Sequence, residues 1–400
     1  MYTQDEIFDF IEQEDVKFIR LAFCDPSGRQ KNVSIMPSEL KRAFEDGISF
    51  DASAIPGFAG DEKSDLLLFP IPATLNVLSW RPSHGKVVRM FCDIRYPDGT
   101  PFECDSRNIL KSAISDAKKR GVSVSFGSEF EFYLFKTDED GYPTMIPFDN
   151  GGYMDVAPED KGENIRREIC LTLLDMGIRP ESSHHEEGPG QNEIDFRFSD
   201  AMTAADNAVN FVTVVKAAAM HNGLYADFSP KPLDGRSGNG MHVNISISSS
   251  DGIDHTPQFM AGIMAHVSEM TAFFNNRPES YKRLGEMKAP RYVTWSPENR
   301  SQLIRIPAAK GEYQRIELRS PDPCANPYIA YAMLIWAGLD GIEKRMDRPE
   351  PVNLNLYRAP KELTDKLEKL PETLDEARRI ARESDFVKSH LPEKLIATLD

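Results

Sequence analysis

The segment Phe126–Phe135, FGSEFEFYLF, constrains this chain more than any other, because it sets two carboxylates into an otherwise aromatic and aliphatic run. Its composition predicts a strand, in which Glu129 and Glu131 point one way while Phe130 and Phe132 point the other. The strand rise puts the two acidic residues roughly 6 to 7 Å apart on one face. At that spacing they repel unless a cation, a proton or a basic side chain lies between them. An acidic, solvated edge strand is the plain alternative, so the partners on other strands must decide.

Several other segments show the same parity. In Met241–Ser248, His242, Asn244, Ser246 and Ser248 alternate with Met241, Val243, Ile245 and Ile247. In Tyr313–Arg319, Arg315, Glu317 and Arg319 oppose Ile316 and Leu318, and in Asn192–Phe198, Glu193, Asp195 and Arg197 share a face. A sheet with one apolar face and one face of Glu, His and Arg reads as the floor of a site. Glu129, Glu131, Glu186, Glu193, Glu317 and His242 form an oxygen-rich donor set with one imidazole and no thiolate, which suits hard ions such as Mg²⁺ or Mn²⁺. Five clustered carboxylates call for two or more such ions. Arg283, Arg300, Arg305, Arg315 and Arg319 follow within a short span, and arginine binds phosphate and carboxylate oxygens in a bidentate way. Together they describe a phosphoryl-transfer site. No GxxxxGK[ST] segment occurs, which excludes a P-loop, and Gly238-Asn239-Gly240 is too short to name a nucleotide site by itself.

The 400 residues carry a formal charge of -16 with no compensating basic block, which argues against nucleic acid or an anionic membrane as partner. No apolar run is long enough to span a membrane, and the first residues, MYTQDEIFDFIEQED, are acidic where a signal peptide is basic. A cytoplasmic protein is expected. Cys24, Cys92, Cys104, Cys170 and Cys324 are scattered and never in CxxC spacing, so they are expected to be reduced.

The first hundred residues hold short β-like runs such as Val16–Phe23, broken by turns at Asp25–Gly28 and Asp98-Gly99. Asp51 lies there, in a small-residue loop. From Asp105 the texture changes: Ser106 is predicted to cap a helix that Gly121 ends. Helices near 164–176, 204–222, 258–275 and 327–344 then alternate with strands at 181–186, 192–198, 241–248, 301–306 and 313–319. The charged tail, with Leu363, Leu367 and Leu370, is expected to add a peripheral helical layer.

Seven ordered segments, SFDASAIPGF, FGSEFEFYLF, HHEEGPGQNEIDFRF, FSPKP followed by GNGMHVN, SYKRL, NRSQLIRIP and RIELRSPDPCANPYIAYA, resemble those of the type I glutamine synthetases over nearly the whole chain. The resemblance implies an α+β protein: an N-terminal β-grasp domain over 1–100, and over 105–400 a catalytic α/β domain with a curved antiparallel sheet. It implies a cytoplasmic homododecamer of two stacked hexameric rings, with Asp51 reaching the adjacent subunit's site. It assigns Glu131, Glu186 and Glu193 to one metal, and Glu129, His242 and Glu317 to the nucleotide-side metal. Arg300, Arg305 and Arg315 correspond to the arginines for ATP phosphates and the transition state, and Ser246 to a nucleotide contact. Arg283 and Arg319 correspond to the glutamate carboxylate arginines, with Gly238, Glu131 and His242 also on the substrate side. The implied reaction has ATP phosphorylate the γ-carboxylate of glutamate, after which ammonia displaces phosphate.

Two positions depart from the family pattern. The loop Gly285-Glu286-Met287-Lys288 before Ala289-Pro290 is one residue short and carries Lys288 where a glutamate is expected. A cation there repels ammonium by on the order of 1 to 4 kcal/mol at 4 Å. Glu286 is the other acidic residue that a different loop path could bring in. Ser237 stands where the family has an asparagine. Both touch the amine and amino-acid side, so a ligase for an organic amine or a related acid is the nearest alternative. A catalytically silent homologue serving assembly or binding is the alternative from another class.

Overall fold

A computed structural model of the chain describes residues 3–58, 60, 64–81 and 84–399, the side chain of Glu312 excepted. A helix, Gln4–Gln13, opens it. Thr3 and Glu6 cap this helix reciprocally, each side chain accepting from the other's backbone N–H. Strand Val16–Cys24 then pairs antiparallel with Gln30–Ile35 and parallel with Lys86–Arg95. With Asp65–Pro70, Ile48–Asp51 and Asn76–Val77 they make a six-stranded sheet. The five cysteines are free thiols: Cys24, Cys92 and Cys104 are buried, Cys170 and Cys324 partly so.

The second sheet has ten strands and is built around the sixteen-residue strand Val122–Thr137. This central strand pairs antiparallel with Met241–Ser249 on one side and Gln191–Phe196 on the other. Further along it takes Leu224–Asp227, Pro143–Pro147 and Ser199–Asp200. The sheet continues outward through Ile316–Leu318, Ile304–Ile306 and Trp295–Pro297 on one flank and Pro180–His185 on the other. All these pairings are antiparallel except that of Trp295–Pro297 with Ile304–Ile306, which is parallel.

Phe130 and Phe132 of the central strand lie on a buried apolar face, as expected, together with Val124 and Phe126. Phe126 stacks on Tyr331 of helix Pro327–Glu343 at 4.3 Å, and Phe130 lies 5.0 Å from Phe211 of helix Ala201–His221. Burying these rings removes large apolar areas from water and drives the helices onto this side of the sheet. The odd-numbered face, with Glu129 and Glu131, is left to the site.

Helix Pro327–Glu343 packs closely on helix Thr256–Phe274, and the contact is made backbone to backbone. A Cβ on Gly262 would lie 2.1 Å from the carbonyl oxygen of Ala337, and one on Gly341 2.1 Å from that of Gln258. Among the described residues no helix is long and apolar enough to cross a membrane.

Some expected boundaries are corrected. Asp105, not Ser106, is the N-cap of helix Ser106–Lys119, its carboxylate accepting from the Arg107 N–H. The strand expected over 301–306 is confined to Ile304–Ile306, because Asn299 draws the Ser301 N–H into a turn. The strand expected over 313–319 is reduced to Ile316–Leu318, since Gly311–Tyr313 forms a 3-10 turn. The C-terminal region is helical at Leu374–Glu383, Asp385–His390 and Glu393–Ala397. Within its earlier part Leu370 is buried while Leu363 is exposed, Thr364 taking the inward place.

Candidate active site

Register assembles the site. Directly opposed residues of an antiparallel sheet share a face, and the pairing sets His242 opposite Glu129, Glu193 opposite Glu131, and Asp195 opposite Glu129. On the outer flank Glu317 lies opposite both Asn244 and Arg305. Residues far apart in sequence thus reach one floor, over a cleft of about 300 Å³.

Ligand atoms of Glu129, His242 and Glu317 lie within 4.8 Å of one another, as do those of His184, Glu186 and Glu193, and those of Glu131, Glu193 and His242. His242 Nδ1 is 3.3 Å from Glu129 Oε2 and 3.9 Å from Glu317 Oε1. The Asn244 amide donates to Glu129 Oε1 at 2.8 Å, and the Gly240 N–H to Glu131 Oε2 at 2.6 Å. Glu317 is fully buried, and accepts from Arg305 Nε and, at 2.5 Å, from Arg319 Nη1. Arg315 Nε donates to Asn244 Oδ1 at 2.7 Å. Arg283 is buried and anchored by donating to the carbonyls of Ser320 and Arg319.

Burial, and then the charge of Glu186, push Glu131 up to about 7. Burial and then Glu129 push Asp195 up to about 8, and burial with the charge of Asp195 raises Glu193 well above the carboxylate range. Burial and the nearby Arg319 guanidinium depress His242, keeping its imidazole neutral and able to ligate. Carboxylates packed until they resist ionisation, beside a neutral imidazole, make a donor set that fits hard divalent ions, which relieve both the repulsion and the desolvation.

Most of the residues expected at the site do line this cleft: Glu129, Glu131, Glu186, Glu193, Gly238, His242 and the five arginines. Glu317 lies beneath, as part of its floor. Ser246 does not line it; its hydroxyl donates to the carbonyl of Gln314. Asp51 does not line it either. Its exposed carboxylate accepts from the backbone N–H and hydroxyl of Ser53, which hold it below the usual range.

The short loop is resolved into two roles. Glu286 turns to the buried Lys231, 3.1 Å away, and does not line the cleft. Lys288 does line it, with Nζ 2.7 Å from Glu187 Oε1. Ser237 Oγ donates to the other Glu187 oxygen at 3.3 Å.

Sequence reasoning set Asp195 on the face of the site floor without assigning it a role, and passed over Ser182, His184, Glu187 and Tyr153, though all five line the cleft. Parity had already set Asp195 beside Glu193, and continued from Glu186 it reaches His184 and Ser182. Tyr153 lies in a loop where no periodicity applies.

The family model for the glutamine synthetase β-grasp domain matches residues 15–97, and that for the glutamine synthetase catalytic domain residues 103–399. The chain is 44% identical over 410 residues to the glutamine synthetase of Methanosarcina mazei, covering 99% of this chain and 92% of that one. It is 43% identical to that of Clostridium saccharobutylicum, over 98% of this chain and 91% of that one. A solved structure titled GmaS/ADP complex superposes with a TM-score of 0.89 at 28% identity, over 98% of this chain and 93% of that one. Plasmodium falciparum glutamine synthetase shares the fold, with a TM-score of 0.87 at 23% identity over 100% of this chain and 94% of that one. Two family models that between them match most of the chain, and relatives similar along its length, show that it belongs to the glutamine synthetase family.

Proposed function

We propose that this protein is an ATP-dependent glutamate–ammonia ligase working through γ-glutamyl phosphate. One observation carries the reading: a floor of five glutamates and a neutral histidine is faced across one cleft by Arg283, Arg300, Arg305, Arg315 and Arg319. Glu129, His242 and Glu317 would hold a metal on the nucleotide side, and Glu131, Glu186 and Glu193 a metal on the amino-acid side. Divalent ions bound there supply charge neutralisation for phosphate oxygens.

The chain's own residues do the rest. Arg300, Arg305 and Arg315 stabilise the charge that develops on the transferring phosphoryl group. Arg305 donates from Nε to Glu317, which orients its guanidinium. Arg283 and Arg319 bind the glutamate carboxylates, and both are pre-oriented by fixed hydrogen bonds, which lowers the ordering cost of binding. Asp51 is assigned to the neighbouring subunit's site, where it assists loss of a proton from ammonium. Its exposure outside its own cleft fits a ring in which sites lie between subunits, as in a dodecamer. A division into domains 1–100 and 105–400, Mg²⁺ or Mn²⁺ as the metal, Ser246 as a nucleotide contact and a cytoplasmic setting complete the proposal.

The test is phosphate release from ATP with glutamate and ammonium in the presence of Mg²⁺ or Mn²⁺, with glutamine identified as product. No release with any pairing of acid and amine, despite Mn²⁺-dependent ATP binding, overturns it in favour of the silent homologue. The second reading, an organic amine as acceptor, is favoured by Lys288 in the loop. Faster turnover with an amine than with ammonia would establish it.

A further inference from the structure

The loop containing Lys288 closes part of the cleft with a charge of its own. The Lys288 ammonium lies 2.7 Å from Glu187 Oε1 and 5.0 Å from the centroid of the Tyr153 ring. Ser237 holds the other oxygen of the same carboxylate. A carboxylate fixed by a hydroxyl, with an aromatic ring beside it, is a receptor for a protonated amine. Here the chain's own lysine fills it.

Two features make this occupancy reversible. The side chains of Glu187 and Lys288 are 40% and 42% exposed, so water competes for the pair. The backbone at Met287 and Lys288 is left-handed, with φ of 41° and 72°, a region unfavourable for residues that carry a Cβ. The loop is retained by the Lys288 carbonyl, which accepts from Arg319 Nη2 at 3.4 Å, and by the Ala289 carbonyl, which accepts from the Tyr357 hydroxyl at 3.0 Å. Because Glu286 is turned to Lys231, the loop presents no carboxylate to the cleft.

We propose that Glu187 and Lys288 form an exchangeable latch, in which ammonium or a small primary alkylammonium displaces the Lys288 ammonium from Glu187 and frees the loop. The exchange swaps one cation for another, so the cleft's charge is conserved and no bond is made or broken. Glu187 and Lys288 thereby select the amine: a primary ammonium can hydrogen-bond to Glu187, whereas a quaternary one cannot. The inference rests on the ligase reading, and is tested by one readout that needs no turnover.

That readout is tryptic cleavage after Lys288 in the intact protein with its metal. Ammonium or methylammonium chloride accelerates cleavage relative to sodium chloride at equal ionic strength, and tetramethylammonium chloride does not. Glu187→Gln, checked for an unchanged melting temperature, is cleaved at the accelerated rate without added amine. In the phosphate-release assay Lys288→Met lowers the KM for ammonia about two- to fivefold, the worth of an exposed ion pair, and leaves the KM for ATP unchanged. Cleavage indifferent to ammonium, or a Lys288→Met enzyme with unaltered KM for every amine, overturns the latch. A chain that releases no phosphate yet is cleaved as described retains the latch and loses the ligase reading.

Discussion

Replacing Glu317 by glutamine tests the centre of the site with the least change of shape. The carboxylate is fully buried and accepts from Arg305 and Arg319, and His242 Nδ1 lies 3.9 Å away. The amide is nearly isosteric but neutral, so two guanidinium groups lose the charge between them. Removing one partner of a buried pair costs about 3–5 kcal/mol. The amide oxygen can still accept from one arginine, which puts the expected loss near the lower end, about 3 kcal/mol. For a chain of this length that corresponds to a fall in melting temperature of about 3 to 4 °C, measured without metal. Mn²⁺ titrated calorimetrically should then bind the nucleotide-side set at least tenfold more weakly, because a charged donor is lost. An unchanged melting temperature together with an unchanged Mn²⁺ affinity refutes the argument, since Glu317 would then be neither the counter-charge nor a ligand.

Gly262→Ala should destabilise by about 1–3 kcal/mol despite the better helix propensity of alanine, because the new Cβ meets the Ala337 carbonyl at 2.1 Å and only a separation of the two packed helices relieves the clash; a variant as stable as the parent in thermal melts contradicts it. Gly341→Ala should cost much less in that background than alone, since one separation of the helices accommodates both. His266 is held between Glu269 and Asp340; burial opposes its charge, but hydrogen bonds to the two carboxylates prevail and raise its pKa. Its contribution is therefore full below about pH 6.5 and is lost as pH rises through the raised value. The gap in melting temperature between the wild type and His266→Gln should narrow from pH 6 to 9, and a gap that widens reverses the sign of the argument. Asp51→Asn should retain ATP and Mn²⁺ binding while losing about 10² to 10⁴ in turnover. Mixing it with an inactive Arg319→Ala chain under conditions of subunit exchange should recover activity if sites are shared between neighbours, and no recovery refutes the sharing.

The alternation of FGSEFEFYLF, of Met241–Ser249 and of Gln191–Phe196 was legible in the sequence because the side-chain period of a strand is two and each strand buries one face. That periodicity separated the apolar face, with Phe130 and Phe132, from the chemical face with Glu129, Glu131 and His242. The helices Ser106–Lys119, Ala201–His221 and Pro327–Glu343 were legible for the same kind of local reason, with the Pro327 start read correctly and the other ends off by up to three residues. Short strands such as Ile304–Ile306 were not, since three residues carry too little pattern to mark their bounds.

What only the tertiary structure decided is which residues meet. Register brought Asp195 against Glu129 and Glu317 against Arg305, pairings between segments with no local signal for each other. The loop at Lys288 makes the point most directly. Read along the chain, it is a cation where ammonium must come, with Glu286 beside it as a substitute acid. In space, Lys288 faces Glu187, a hundred residues earlier in the chain, and Glu286 is turned to Lys231. A charge acts through distance in space, and distance in space is what a linear pattern does not contain.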